Sequence, residues 1–509
     1  MSALDPVRGL RNLADLVRLS AMARGQDVAL VAGDLTLTWA ELDRAVEAFA
    51  SGLLRHGLLA GDRVALVLGN GVPFVVSYFG ALRAGIAVVP TNVSYTEHEL
   101  TDLLSQSGPR LVVANRTTAA TARAAAGDVE VVVVGDASYD GIGQAGSRSD
   151  AIAPPDAATF DPESLAVLLF TAGTSGRPKG AMLTHRALLA NIGQLRRLDP
   201  PVMVRDDVVL VVLPLFHVYA LNAALGMAAA VGAACVLVDR FEPAASLELI
   251  VRAGVTNVPG APPMYVAWSR QPHLRESLAG VRTLVSGAAP LAPGVLALIT
   301  ELTGQSVWEG YGMTEAAPVV ATTLSSGRAT PGSVGRPLPG LEVRLVDDDG
   351  DPATDGDPGE IELRGPNLFS GYWPDGVDGP GPDGWWRTGD IAYADAAGDL
   401  HLVDRRRDLV LVSGFNVYPF EVETVICAHP DVAEAAVIGM PDAATGSAVK
   451  AFVVPLAGHE ISVDSIAAHC RTRLARFKCP TEIQVVPALP HSSTGKVMRA
   501  RLRDGLTGV

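Results

Sequence analysis

The chain has 509 residues, of which 48% are hydrophobic and 19% charged. Domains run roughly 100–200 residues, so two or more are expected, and the apolar share excludes a disordered protein. Lys plus Arg number 40 against 55 Asp plus Glu, a formal net charge of −15, which argues against nucleic acid as a partner because that needs a basic footprint, while a nucleotide site needs only a few local groups.

Along the first part of the chain, helix and strand signals alternate. Thr38 opens a helix, with Glu41 completing a capping box and Leu42, Val46, Phe49 and Leu53 following at helical spacing. Arg63–Leu68 reads as a buried strand, Phe74–Ala84 as a helix and Ile86–Val89 as a strand. Glu97–Gln106 is a helix and Arg110–Ala114 a strand. The alternation continues through Val208–Leu213, Leu221–Ala230, Ala234–Val238, Ser246–Ala253 and Thr283–Ser286. Such order implies an α/β fold with a mostly parallel sheet flanked by helices.

Val218–Val238 carries no charge and has the length of a membrane span. Its Asn222, Gly226 and Gly232 and its alanines fit an internal helix better, with a turn at Gly232 and a buried strand after it. From Gly340 to Leu402 the character changes to short β segments separated by Gly, Pro and Asp, predicting a β subdomain over about 340–403. Gly371–Gly384 reads as a mobile, turn-rich loop. The charged run 404–408 then precedes a compact α+β unit. The expected division is a large N-terminal domain (1–403), a hinge (404–407) and a small mobile C-terminal domain (408–509).

The four cysteines, Cys235, Cys427, Cys470 and Cys479, form no CxxC pair, so neither a zinc cluster nor a disulfide framework is suggested. The first residues lack a basic stretch followed by an apolar one. Together these favour a cytoplasmic protein.

Several segments carry chemistry. Thr171-Ala172-Gly173-Thr174-Ser175-Gly176-Arg177-Pro178-Lys179-Gly180 follows the strand Leu165–Phe170. Glycines let backbone N–H groups converge on an anion, hydroxyls donate further, and Lys179 and Arg177 neutralise charge. This is a cradle for a triphosphate, although a Gly/Ser loop alone is as often a plain surface loop. It is neither a Walker A loop, because Pro178 precedes Lys179, nor a nucleophile elbow, because Arg177 replaces the final glycine. In Glu309-Gly310-Tyr311-Gly312-Met313-Thr314-Glu315, a Tyr between glycines can offer its ring face to a base. Thr314 and Glu315 could hold a phosphate and a Mg²⁺ ion. Alone, this stretch is equally a common turn. Trp386-Arg387-Thr388-Gly389-Asp390, the run from Asp404 to Pro419 and the tail Pro490–Lys496 complete the set.

In this order and spacing the segments resemble the adenylate-forming superfamily, which comprises acyl-CoA synthetases, peptide-synthetase adenylation domains and firefly luciferase. The resemblance spans about Thr38 to Arg501. Asp404–Glu423, with its Ser-Gly-Phe-Asn, is most similar to bacterial fatty acyl-CoA ligases. The family reaction has two steps: a carboxylate attacks the α-phosphate of ATP, giving an acyl-adenylate and pyrophosphate, then a thiol takes the acyl group and releases AMP. Because two anions must meet, charge screening and positioning dominate the chemistry.

The resemblance implies these roles. Thr171, Gly173, Thr174, Ser175, Gly176 and Lys179 would grip the terminal phosphates. Gly287, Ala288 and Ala289, with Gly310 and Tyr311, would form the adenine slot. Thr314 would contact the α-phosphate, and Glu315 would hold Mg²⁺. Asp390 would bind the ribose, assisted by Arg405. Lys496 would reach in from the small domain during adenylation, swinging about Arg407, where relatives usually have Asp or Lys. After that swing, Gly414 would leave room for the pantetheine arm of CoA, and the basic segment ending at Lys478 would meet CoA phosphates. A solvated basic face is an equal reading of that segment. His217 matches the family's aromatic position near the acyl carboxylate and thiol channel.

The acyl pocket would be lined by Phe216–Gly226, Val258–Met264, Ser286–Ala289 and Met313–Val319. Peptide-synthetase domains have Phe-Asp where this chain has Phe216-His217, which points to a substrate without an α-amine. Small residues (Ala223, Ala224, Gly226, Ala229) leave room for an apolar chain. The expected activity is therefore ligation of a medium- to long-chain fatty acid to CoA, using ATP, Mg²⁺ and CoA. The alternatives are an aryl acid as substrate, or an acyl carrier protein as acceptor. Carrier-loading members carry an insertion after the position of Gly340, and none is evident here. A degenerate binding subunit is disfavoured by the intact Lys179, Glu315, Asp390 and Lys496, and a luciferase-like oxygenase is a remote further reading. Transient peripheral membrane contact is compatible with a long-chain substrate. Oligomeric state is not legible.

Overall fold

The computed structural model describes residues 7 and 9–505 apart from 144–154, 156–158, 172–177, 348, 355, 406, 407, 413, 414, 443–445, 457, 460 and 492–495. Two large sheets build the N-terminal region. The first has six strands in the spatial order Glu130–Val133, Leu111–Ala114, Arg63–Val67, Ala87–Pro90, Leu165–Thr171 and Lys179–Thr184. All pairs are parallel except the last, where Lys179–Thr184 returns antiparallel on Leu165–Thr171. The inner strands are short apolar runs, and Leu66, Val88 and Val113 are fully buried. Burial on both faces is what continuous Val/Leu/Ala strands permit.

The second sheet has nine strands. Its parallel centre runs Val307–Gly312, Thr283–Ser286, Asn257–Gly260, Val208–Val211, Ala234–Leu237 and Val28–Ala32. Antiparallel strands Val319–Thr322 and Arg336–Pro337 extend one edge, and Leu35–Thr38 closes the other. The helix Trp39–Arg55 begins at the predicted capping box, with Thr38 and Glu41 bonded reciprocally. The helix Val72–Arg83 is buried on nearly every face, and its Arg83 is neutralised by Asp43 and Glu47. A charge buried at this depth needs such partners.

A four-stranded antiparallel sheet follows, Glu342–Val346, Gly359–Arg364, Trp386–Ala394 and Leu400–Arg405, as the all-β pattern predicts. The C-terminal region contains the hairpin Val410–Val412/Phe415–Val417, a sheet of Val432–Asp442, Gly446–Pro455 and Glu482–Val485, and the helices Pro419–Cys427 and Val463–Arg471. It has its own apolar cluster around Val437, Val449, Ile426 and Ile466.

The uncharged stretch is an internal helix ending at Gly232 (φ 74°), then a strand, and no helix among the described residues is long and apolar enough to cross a membrane. One expectation needs correction. The segment predicted as an α-helix over Leu221–Ala230 is a π-helix over Tyr219–Gly226, followed by a short α-helix, Met227–Val231. Apolar periodicity over so short a run does not separate these geometries. The loop Gly371–Gly384, expected to be mobile, makes defined contacts. Tyr372 N–H donates to the Val377 carbonyl, Gly381 N–H to the Trp385 carbonyl, and the Trp373 ring lies under the Arg63 guanidinium.

Candidate active site

Five of the expected site residues line one cavity: His217, Gly287, Ala288, Gly310 and Tyr311. It holds about 770 Å³ of space free of protein atoms, its open mouth included, and no Asp, Glu, Lys or Arg lines it. Its walls come from the carboxyl ends of parallel strands in the nine-stranded sheet and from the π-helix. Ligands favour such crevices in open α/β sheets. All four segments expected at the acyl pocket contribute, but so do Leu195, Leu198, Val202 and Met203, which sequence reasoning did not select.

The glycine motif is not a turn. Val307–Gly312 is an inner strand whose Gly310 and Tyr311 pair with Thr322 and Ala321. A Cβ on Gly312 would overlap the Pro318 carbonyl, so that position tolerates only glycine. A Cβ on Gly287 would stand 3.0 Å from the Tyr219 ring. Ala288 and Ala317 both occupy the left-handed region (φ 68° and 63°). Non-glycine residues rarely adopt it, and such strain concentrates at functional sites.

Two tyrosines connect the remaining motifs. Tyr311 O–H donates to Asp390 Oδ2 at 2.6 Å, which ties the Gly310-Tyr311-Gly312 motif to the Thr388-Gly389-Asp390 segment. Backbone pairing sets Arg405 opposite Asp390. Tyr372 O–H donates to Glu315 Oε1 at 2.8 Å, and its ring centre lies 5.0 Å from Lys179 Nζ. Lys179 in turn donates to Asp378 Oδ2 at 2.9 Å. Neither Tyr372 nor Asp378 was selected from the sequence, because both fall in the loop read as mobile. Thr171 pairs with Lys179 across the hairpin, so the stretch 172–178 connects two strands. Gly173, Thr174, Ser175, Gly176, Gly414 and Arg407 lie outside the described residues. Thr314, Glu315 and Ala289 do not line the cavity; Thr314 and Glu315 form a 3₁₀ turn just beyond Met313, which does.

The loop 316–319 is held by amides to which the sequence reading gives no such role. Asn222 Nδ2 donates to the Ala317 carbonyl (2.7 Å) and the Leu188 carbonyl (3.1 Å). Asn191 donates to the Val319 carbonyl, and Asn367 to the Ala316 carbonyl, both at 2.8 Å. All three asparagines are buried. Polar residues buried this deeply are retained when every backbone partner must be satisfied. The available signal was Asn191 on the apolar side of the helix His185–Leu195, between Leu188 and Ile192.

Electrostatics bring in the small domain. Burial, and secondarily the Lys496 ammonium, push His217 down to about 4. The imidazole is therefore neutral near pH 7, and the charge of Lys496 is felt at His217. Glu309, behind Gly310, is raised to about 7 by burial, opposed by the Leu291 N–H that it accepts. Lys478 is not free for a CoA phosphate in this arrangement. Both Glu421 oxygens accept from its Nζ at 2.7 Å, although its 3₁₀ turn does pack against the strand Phe415–Val417.

Among the described residues, no group of three His, Cys, Asp or Glu forms a metal cage. A single carboxylate, Glu315, stands beside Thr314. That donor set fits magnesium, which takes one or two carboxylates plus phosphate oxygens.

Comparison with known proteins agrees. The family model for AMP-binding enzymes matches residues 17–373, and that for the AMP-binding enzyme C-terminal domain matches 421–496. A long-chain-fatty-acid–CoA ligase of Escherichia coli O157:H7 is 34% identical over 98% of this chain and 95% of its own. A feruloyl-CoA synthase of Amycolatopsis sp is 37% identical over 92% and 94%. ATP-bound MatB from Rhodopseudomonas palustris superimposes with a TM-score of 0.90 at 33% identity, covering 98% of this chain and 99% of its own. The strand-borne glycine motif and the hairpin that carries Lys179 thus stand on a chain that belongs to the AMP-binding enzyme family.

Proposed function

We propose that this protein is an ATP-dependent acyl-CoA ligase for a carboxylic acid with an apolar body, a medium- to long-chain fatty acid first. The observation that carries this is an uncharged cavity whose lining includes His217, a ring near enough to Lys496 to feel its charge. There a cation can meet a substrate carboxylate and an α-phosphate together, offsetting the repulsion between two anions.

In this reading Gly287, Ala288, Gly310 and Tyr311 hold the adenine, with Ala289 at the slot's edge, and Asp390 takes the ribose hydroxyls, exchanging its Tyr311 bond for them. Lys179 and the Thr171–Gly176 loop bind the terminal phosphates once Asp378 lets go. Thr314 positions the α-phosphate. Magnesium held by Glu315 would supply Lewis-acid charge neutralisation on the phosphates. Neutral His217 orients the carboxylate without adding charge. The chain divides at 404–407, and rotation there carries Lys496 away and brings Gly414 to the cavity for the thiol step, with CoA as acceptor. The fatty acid reading rests on the apolar lining and on the long-chain relatives; the feruloyl relative favours an aryl acid as the second reading.

The test is pyrophosphate release with ATP and Mg²⁺ across fatty, aryl and amino acids, with and without CoA, and with product masses. Acyl-CoA from a fatty acid supports the reading. Acyl-adenylate that accumulates despite CoA shifts the acceptor to a carrier protein. No pyrophosphate from any acid overturns it.

A further inference from the structure

Six polar side chains line the otherwise apolar cavity: His217, Tyr219, Asn257, Ser286, Tyr311 and Thr322. Four are engaged. Tyr311 donates to Asp390, Thr322 to the Glu309 carbonyl and Asn257 to the Val202 carbonyl, while His217 Nδ1 accepts from the Tyr219 N–H. The other two are not. Tyr219 Oη and Ser286 Oγ are buried and have no hydrogen-bond partner among the described residues. Buried hydroxyls are almost always satisfied, so two orphans in one cavity wall need a reason.

The two belong to one patch. The Tyr219 ring packs on Gly287, the residue after Ser286, with its oxygen 3.5 Å from where a Cβ on Gly287 would stand. The neighbouring Tyr265 phenol cannot help as a donor, since it already donates to the Val285 carbonyl at 2.8 Å. Burial raises the Tyr219 phenol, so it keeps its proton and offers it. Ser286 can donate or accept. A second carboxylate would find no cation in this lining.

We propose that the acid taken by this site carries a neutral hydroxyl on its apolar body, which accepts from Tyr219 Oη and donates to Ser286 Oγ. This rests on the ligase reading above and deepens it. Two skeletons can present that chemistry, a hydroxylated fatty acid or a hydroxylated aryl acid. A site built around a substrate hydroxyl discriminates against the analogue lacking it, because its own buried groups are then left unpaired.

The experiment compares kcat/KM for acyl-CoA formation by the full-length enzyme in matched pairs. The pairs are decanoate against a set of monohydroxydecanoates, and cinnamate against para-hydroxycinnamate. Wild type, Tyr219→Phe and Ser286→Ala are measured, with melting temperatures to confirm folding. Expected is a preference of about tenfold or more for the hydroxylated acid in one skeleton, which identifies the source. Either substitution should bring that ratio to within about twofold of one. A wild-type ratio within about twofold of one in both skeletons overturns this inference while leaving the ligase reading standing, as does a preference that survives both substitutions. Absence of acyl-CoA from every acid overturns both.

Discussion

The cavity wall and the segment that delivers Lys496 solve the positioning problem in different ways. The wall is held by packing: an inner strand, two alanines in the left-handed region, and Gly312 where a Cβ has no space. The tail is held by charge in addition to the packing of Val497 and Leu502 against Ile438, Phe452 and Leu489. Arg499 Nη2 donates to both Glu423 oxygens at 2.7 Å, and Arg503 meets the buried Asp408 at 2.8 Å, close to the proposed hinge. Packed elements are stiff and bistable at most, whereas ion-paired elements can be exchanged for other pairs. The proposed two-step reaction would use both, a fixed nucleotide slot and a removable lysine.

The sharpest way to separate the two regions is Lys496→Ala. Adenylation, read as pyrophosphate release, should fall by about 10²-fold or more, while thiolysis of a supplied acyl-adenylate should persist. Equal loss in both half-reactions would break the comparison. Next is Arg499→Met, which removes an ion-pair partner from the buried Glu423 and from Asp408 and should cost roughly 3 kcal/mol in the small domain. Denaturant unfolding monitored by a probe in that domain would read it, and an unchanged midpoint would show that packing, not charge, holds the tail. Gly287→Ala presses on the Tyr219 ring and should lose on the order of 1–2 kcal/mol, seen as raised KM together with a lowered melting temperature.

Titration of the wall gives a fourth check. Glu309 is raised from 4.5 to about 7 by burial, so the folded protein keeps a proton that the unfolded chain has lost. Its stabilising contribution is complete below about pH 4.5 and fades as pH rises through 7. His217 has the opposite sign. Lowered from 6.5 to about 4, it contributes above about pH 6.5, and that contribution is lost as pH falls through 4. Glu309→Gln should flatten stability between pH 5 and pH 8, by on the order of 2 kcal/mol, without altering the acid limb. Parallel curves for wild type and variant would show that Glu309 ionises without cost. The smallest effect is at Lys179. Its Asp378 partner is 64% exposed, and exposed pairs are weak and salt-sensitive. Asp378→Asn should lower the KM for ATP by about twofold to fivefold at low salt, with the difference vanishing at high salt.

Much of the architecture was legible in the residues. Thr38 and Glu41 announced a helix, short apolar runs announced buried strands, and the Gly/Pro/Asp-rich stretch after Gly340 announced antiparallel β structure. The order of the chemical segments was enough to recognise the family. These are local signals, carried by neighbours in sequence. Three features were not legible. The motif around Tyr311 is an inner strand, although Glu-Gly-Tyr-Gly has little strand propensity, because its strand partners supply what the residues lack. The wall at Tyr219–Gly226 is π rather than α, in a stretch where Asn222 bonds to carbonyls distant in sequence. The loop read as mobile supplies Tyr372 and Asp378, which join Glu315 to Lys179.

The sequence by itself thus determined which residues carry charge, hydroxyls and conformational freedom, and therefore the class of chemistry. Only the tertiary structure decided which of them meet. The Tyr311–Asp390 and Tyr372–Glu315 bonds span 79 and 57 residues, separations at which sequence periodicity carries no information. It also decided which polar groups are left without partners, because satisfaction of a buried hydroxyl depends on every atom around it rather than on its own neighbours in the chain.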